Sequence, residues 1–326
     1  MDELNKHLKQ IAYEIIRSGA PEREAELSSM WETYSPEFIY SGDKPNFVLE
    51  AGAYGSLRLT DRTLRLIWMF GHIAWKTMYL YSGLIHVYSS GDADFDVGEI
   101  ETDSEQKHLN SEIQSLLGKF HEFKEVECVA DCEWPASIPA PAHSRPTEDN
   151  EQTAVYDLVG IAMVYVFLHE LKHIQFSSDP DNRPGPLEEE LLCDDYARSF
   201  LFDKVAIYSK MSGDDLEKVV SKRAMAVALA SFLIFELTLP EARYGTDSHP
   251  RFKDRIKHVL DFPALKPDDN YWLYLGSILL TKLRLLGVNP KGFWFNTRKQ
   301  FCESVYEDFS NHAFQPTSDR GAVFLG

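Results

Sequence analysis

Apolar residues recur at helical spacing along most of the chain. In the first segment Leu4, Leu8 and Ile11 share one side, because residues three or four apart lie on one face of a helix. Thr60 can cap a second, long apolar helix. Helices are predicted at residues 1–19, 60–83, 106–123, 153–176, 186–205, 214–237, 249–260, 270–286 and 298–311. The pattern therefore predicts a mostly helical chain.

Two stretches are strand-like instead. Residues 45–59 are largely apolar but are interrupted by Gly52 and Gly55. Residues 124–134 alternate with a period of two, with apolar side chains on one side and acidic side chains on the other. That alternation predicts a strand with one buried face and one solvent-facing face. Helices and strands together predict the α+β class, mostly α.

A proline-rich loop divides the chain at residues 135–150. We therefore expect three segments that form one compact unit. These are an N-terminal helical and sheet-forming part at 1–150, a central core at 151–262 and a C-terminal helical packing segment at 263–326.

The charge balance excludes some classes of protein. The chain has 51 Asp and Glu residues against 33 Lys and Arg residues, a formal charge of -18. This argues against nucleic acid and against an anionic membrane surface as partners, since both attract basic proteins. No uncharged apolar stretch reaches the roughly 18 residues of a membrane span, and no secretory signal opens the sequence. Four cysteines are too few for a disulfide framework, so we expect a cytoplasmic protein.

The helix predicted at 153–176 carries the residues with the clearest chemistry. It contains His169-Glu170-x-x-His173, the pattern H-E-x-x-H. Because His169 and His173 share one helical face, both can offer a ring nitrogen to one ion, and imidazole suits zinc. Glu170 follows about 100° around the helix axis, where it can act as a general base on a water molecule without being a ligand.

The alternative is a surface helix that carries two histidines by chance. With 11 His in 326 residues, about 0.03 accidental matches are expected. The motif also ends an almost uncharged run at residues 158–168, and a half-buried helix needs partners for three polar side chains. The pattern therefore favours a metal site.

A catalytic zinc keeps three protein ligands and one open position, so a third ligand is expected on another element. On a helical wheel Glu190 shares a stripe with Asp194 and Ala197, and the small alanine would let two helices approach closely. We therefore predict Glu190 as the third ligand and Asp194 as a hydrogen-bond partner of a ligand histidine. Glu189 is the alternative ligand, and Glu188 is expected to be solvated at the helix N-terminus.

A third segment follows around His249. Ser248 can cap the helix predicted there, and Pro250 suits its first turn. Taken alone, His249 is an ordinary loop histidine and Arg255 an ordinary surface arginine.

Together and in this order, the three segments resemble the gluzincin metallopeptidases. The matching residues are His169-Glu170-x-x-His173, Glu190-x-x-x-Asp194-x-x-Ala197 and His249-Pro250-x4-Arg255. The last block is similar to one in the CaaX prenyl protease and HtpX group, which spans membranes. The size and layout resemble instead the soluble Lit phage-exclusion peptidases, bacterial proteins that cleave a translation factor when a phage is detected. The resemblance covers residues 155–260.

The resemblance implies a zincin-like core at 151–262, with an active-site helix and a Glu-bearing helix under a small β-sheet, and Zn²⁺ as the cofactor. It implies that His249, or alternatively Tyr244, stabilises an oxyanion, and that Arg255 forms a salt bridge to an acidic group. The strand predicted at 124–134 would be either the edge strand that receives an extended peptide or an interior strand.

The sequence therefore predicts a zinc-dependent endopeptidase that cleaves a protein or peptide, with a phage-exclusion role implied by the resemblance. If the strand predicted at 124–134 borders the cleft, the excess of acidic residues favours a basic or neutral polypeptide as substrate. The alternative is a non-catalytic or regulatory metal-binding scaffold that binds protein partners. The predicted site comprises His169, His173 and Glu190 as ligands, Glu170 and His249 as catalytic residues, and Asp194 and Arg255 as their supports.

Overall fold

The computed structural model describes residues 2–40, 49–52, 56–89, 94–141 and 144–314. Helices form most of this part of the chain, so the predicted α+β class with mostly α structure is confirmed. The helices are α1 (Asp2–Gly19), α2 (Glu24–Tyr34), α3 (Asp61–Tyr88), α4 (Ser104–Glu125), α5 (Asn150–Ser178), α6 (Pro186–Phe202), α7 (Val205–Ser212), α8 (Leu216–Leu237), α9 (Phe252–Asp261), α10 (Asn270–Leu285) and α11 (Arg298–Ala313).

The strands are short. They are β1 (Glu37–Tyr40), β2 (Leu49–Gly52), β3 (Ser56–Leu59), β4 (Phe95–Asp96) and β5 (Lys291–Phe293). The larger sheet has the order β1-β3-β2, with β1 parallel and β2 antiparallel to β3. β4 pairs antiparallel with β5. Of the strand-like stretch at 45–59, β2 and β3 are observed, while residues 45–48 and 53–55 lie outside the described part.

α5 is the central helix of the fold. It packs against α1, α3, α6, α8 and β2. Two glycines allow the close approach of its neighbours, since a Cβ at Gly71 of α3 would lie 2.5 Å from Cγ2 of Val159. A Cβ at Gly19 of α1 would likewise lie 2.5 Å from Cγ2 of Val164. The helix that carries H-E-x-x-H is therefore held on several sides by the core.

Among the described helices, α5 alone is long and apolar enough to cross a membrane, and half of its most apolar window is buried inside the fold. The core helix of a soluble protein has the same length and composition.

The prediction of a strand at residues 124–134 is wrong. α4 continues to Glu125, and Val129–Asp131 forms a 3₁₀ turn. Ala130, predicted on the buried side, is exposed, and Val129, which a strand would place on the opposite side, is buried. Instead of a sheet partner, buried Arg62 of α3 provides donors for several carbonyl groups at the start of this segment. Its guanidinium donates to the carbonyl oxygens of Phe123, Lys124, Val126 and Glu127.

Most predicted helices are observed with small shifts at their ends. The predicted capping role of Thr60 is present, since its side chain accepts a hydrogen bond from the backbone N–H of Thr63 at the start of α3. The helix predicted at 186–205 instead ends at Phe202, and α7 follows as a separate helix. The helix predicted at 249–260 begins only at Phe252, so His249 lies in the preceding loop.

Candidate active site

α5 presents two histidines on one face, as the four-residue spacing predicts. Nε2 of His169 and Nε2 of His173 lie 3.2 Å apart. His169 is only 9% exposed, and its neighbours Leu168 and Leu171 are buried in the core. The apolar part of α5 therefore fixes the helix, while the histidine face remains directed at α6.

α6 brings a carboxylate to these two nitrogens. Oε2 of Glu190 lies 3.6 Å from Nε2 of His169, and Oε1 lies 3.3 Å from Nε2 of His173. Ala197, one of the residues predicted to allow close approach, is fully buried. α6 begins at Pro186, so residues 179–185 connect it to the end of α5. His169, His173 and Glu190 are thus brought together.

Asp194 lies behind His169, on the side away from Glu190. Its Oδ1 is 3.0 Å from Nδ1 of His169 and accepts a hydrogen bond of 3.1 Å from the hydroxyl of Tyr165. Its Oδ2 lies 3.0 Å from Nε of Arg255. Asp194 therefore occupies the position predicted for a partner of a ligand histidine, and Tyr165 is a further partner that the sequence did not indicate.

Glu189 has the same relation to His173. Its Oε1 lies 2.8 Å from Nδ1 of His173, and the carboxylate receives hydrogen bonds of 2.6 and 2.9 Å from Arg183. Glu189 is 3% exposed, whereas the neighbouring Glu188 is exposed as predicted. Since the Glu189 carboxylate contacts Nδ1, it does not face the two Nε2 atoms. The sequence predicts Glu189 only as an alternative ligand and not as a partner of Nδ1 of His173. Arg183, which also contacts Glu189, lies in the loop before α6, where helical spacing predicts no contacts.

The third segment, α9 and the loop before it, contributes His249 and Arg255 to the site. Nε2 of His249 lies 3.5 Å from Oε1 of Glu190, and the His249 side chain is 57% exposed. Nη2 of Arg255 lies 2.6 Å from Oε2 of Glu190. Arg255 therefore bridges the carboxylates of Glu190 and Asp194, as the resemblance implied.

Charge is concentrated where these groups meet. Burial alone would lower the pKa of His169, but hydrogen bonds with Asp194 and Glu190 outweigh it and raise this pKa to about 10. Burial would raise the pKa of Asp194, but Arg255 and His169 lower it to about 2. For Glu190, His169 and His173 overcome the same effect of burial and hold its pKa well below the usual range. The carboxylates are thus arranged to hold positive charge.

A second set of donor atoms overlaps with the first. One atom each from His169, His173 and Cys193 lies within 4.8 Å of the others. Cys193 is fully buried, and burial followed by the charge of Glu190 raises the pKa of its thiol. Glu190 lines the open cleft described next, and Cys193 does not. Cys193 cannot be singled out from the sequence, because a lone cysteine gives no spacing signal.

A cleft of about 430 Å³ opens beside His169 and Glu190, and His173 is not among the residues that line it. Its polar side comprises His169, Glu170, Glu190, His249 and Arg255. Its apolar wall comes from α3, α5 and α8 and includes Ile67, Val166, Phe167, Leu233, Ile234 and Leu237. Tyr244, the alternative oxyanion donor, is not among the residues that line it.

Comparison with known protein families assigns the chain. Residues 57–275 match the family described as Peptidase U49. The chain belongs to this family. The matched part of this U49 peptidase contains α3, α5, α6, α8 and α9, and so every residue of the cleft. No curated protein and no solved structure matches the chain. The predicted peptidase activity is confirmed at the level of the family, and the substrates of such an enzyme are peptides.

Proposed function

We propose that this U49 peptidase is a zinc-dependent endopeptidase of the gluzincin type. The observation that carries the proposal is the approach of three donors beside the cleft, of which His169 and Glu190 line it. Nε2 of His169, Nε2 of His173 and the carboxylate of Glu190 lie 3.2–3.6 Å from one another.

The donor set fits zinc. Two imidazole nitrogens and one carboxylate oxygen form a usual protein ligand set for a catalytic zinc ion, with a further position left for the reaction. We assign Glu190 rather than Cys193 as the third ligand, because a catalytic ion must face the substrate and Glu190 lines the cleft. A bound zinc ion would supply Lewis acidity for the attacking water and the scissile carbonyl.

The side chains of this chain would carry the proton transfers and the binding. Glu170, on the cleft side of α5, would accept the proton of the attacking water and then protonate the leaving amine. His249 would donate a hydrogen bond to the oxyanion that forms on the carbonyl. Asp194 and Glu189 would orient the two histidines through Nδ1, which fixes the ring nitrogen that faces the ion.

The apolar wall supports a preference for the substrate. A polypeptide with a large apolar side chain next to the scissile bond would bury that side chain against α3, α5 and α8. Residues 124–134 do not line the cleft and contain a 3₁₀ turn instead of a strand. The prediction that a peptide substrate pairs with a strand there is therefore withdrawn.

The biological setting is proposed on other grounds. A cytoplasmic location is supported by Cys128, Cys132, Cys193 and Cys302, which are all free thiols. A triggered phage-exclusion role is supported by the resemblance of the three motifs to the Lit peptidases.

Zinc quantification on the purified full chain tests the proposal. We expect one zinc per wild-type chain, loss of zinc in His169→Ala and Glu190→Ala, and retention in Cys193→Ser. Incubation of the chain with a proteome should generate new protein termini, and a metal chelator should abolish their formation. Loss of zinc in Cys193→Ser but not in Glu190→Ala would move the third ligand to Cys193. A folded wild-type chain without zinc or cleavage would favour the scaffold alternative.

A further inference from the structure

Two hydroxyl groups lie beside the ring of His249, on the side away from the cleft. Oγ of Ser248 is 2.8 Å from Nδ1 of His249, and Oγ1 of Thr246 is 3.4 Å from the same nitrogen. The two hydroxyl oxygens lie 3.2 Å from each other. Nδ1 of His249 therefore ends a short chain of hydrogen bonds.

The direction of this chain is set at its Thr246 end by backbone amides, which can only donate. Oγ1 of Thr246 accepts from the backbone N–H of Ser248 at 3.3 Å and from that of His249 at 3.0 Å. Both lone pairs of this oxygen are then used, so its hydrogen points to another acceptor. The nearer acceptor is Oγ of Ser248, and the hydrogen of Ser248 is then placed to donate to Nδ1 of His249.

The other side of the ring supports the same arrangement. Nε2 of His249 faces Oε1 of Glu190 at 3.5 Å. A hydrogen on Nε2 is attracted by that carboxylate, whereas a lone pair there would be repelled. The local backbone holds the ring in place, since the N–H of Thr246 donates to the carbonyl oxygen of His249 at 3.0 Å.

Glycine is needed at the start of this loop. Gly245 has φ of +90°, a conformation that side chains disfavour, and a Cβ there would lie 2.8 Å from Cγ of Arg251. Glycine at this position therefore permits the loop conformation in which the hydroxyls reach Nδ1.

We propose that Thr246 and Ser248 are positioning residues that hold His249 as the tautomer with hydrogen on Nε2. The ring then offers a hydrogen-bond donor to the cleft and cannot serve as a metal ligand through that nitrogen. That this donor stabilises an oxyanion rests on the proposed function, whereas the tautomer itself does not.

Nitrogen NMR of the full chain tests the tautomer directly. With ¹⁵N-labelled histidine, the resonances of His249 are assigned by their loss in His249→Gln. We expect an unprotonated Nδ1 and a protonated Nε2 for His249, with less of the other tautomer than the exposed His86 shows. Ser248→Ala and Thr246→Val should shift His249 toward the mixture seen for His86. Ser248→Thr and Thr246→Ser keep the hydroxyls and should retain the wild-type signals.

Asp247→Asn is the matched control. Asp247 is exposed between the two hydroxyl residues, and its substitution should leave the His249 signals unchanged. A neutral His249 ring with its hydrogen on Nδ1 in the wild type, or no response to Ser248→Ala and Thr246→Val, would overturn the proposal.

Kinetic measurements test whether the tautomer of His249 affects the reaction, independently of the NMR assignment of that tautomer. On a cleaved peptide, Ser248→Ala should lower kcat by about tenfold with little change in KM, since the donor acts on the transition state. Wild-type chain with the expected nitrogen signals but without hydrolysis would contradict the proposed function and leave the tautomer assignment standing.

Discussion

Arg255→Gln removes a buried cation from between two buried carboxylates. Nη2 of Arg255 lies 2.6 Å from Oε2 of Glu190, and Nε lies 3.0 Å from Oδ2 of Asp194. The three side chains are only 7–12% exposed. Breaking a buried pair by removing one partner costs about 3–5 kcal/mol, because the remaining charges stay buried. This is a large fraction of the roughly 5–15 kcal/mol that stabilises a typical domain.

Urea denaturation of the metal-free full chain at neutral pH measures this loss. Arg251→Gln is the matched control, since its ion pair with Asp254 is 2.9 Å long but the two side chains are 66% and 42% exposed. Such an exposed pair contributes about 0–1 kcal/mol. If the two variants lost the same free energy of unfolding within 1 kcal/mol, the bracing role assigned to Arg255 would be wrong.

The remaining predictions concern the second histidine, pH and the cleft. Glu189→Gln should weaken zinc binding by about 10–100-fold because His173 loses its charged partner, and Glu188→Gln should not, as measured by competition with a chelating dye. Burial lowers the pKa of His72 from 6.5 to about 4, so the unfolded chain binds a proton in that range and the folded chain does not. The free energy of unfolding is therefore not reduced by His72 above pH 6.5. It decreases as pH falls below this value, by about 2 kcal/mol at pH 5. His72→Gln should lose correspondingly less stability than wild type between pH 7 and pH 5 in urea titrations. Ile234→Asp should raise KM for peptides with a large apolar side chain, since it places a charge in the apolar wall.

Each of these has a result that would count against it. Equal zinc affinities for Glu189→Gln and Glu188→Gln would remove the orienting role of Glu189. An acid-induced loss in His72→Gln as large as in wild type would show that another group titrates. The exposed His86, substituted in the same way, should leave the loss unchanged. An unaltered KM in Ile234→Asp would place the apolar side chain of the substrate elsewhere.

The parts of the site that follow from helical geometry could be predicted from sequence. The four-residue spacing of His169 and His173 determines that both face one side, whatever surrounds the helix. The stripe formed by Glu190 and Asp194 on α6 follows in the same way. These contacts require only that α5 and α6 pack together, which the buried Ala197 allows.

The parts that depend on distant or irregular chain could not be predicted. The alternation at 124–134 is compatible with a strand, and only the position of Arg62 in three dimensions shows that its guanidinium satisfies the backbone there. The contact of Arg183 with Glu189 and the hydroxyls beside His249 arise in loops, where spacing does not determine direction. The apolar wall likewise combines α3 and α8, which are remote in sequence.

The central claim is that Glu170 is the general base of a zinc peptidase whose metal is held by other residues. Glu170→Gln keeps the size of the side chain and removes its ability to accept a proton. We expect the variant to bind one zinc per chain, as wild type does, and to lose cleavage of a responsive protein by at least a hundredfold. Cleavage at the wild-type rate by zinc-loaded Glu170→Gln would contradict the account.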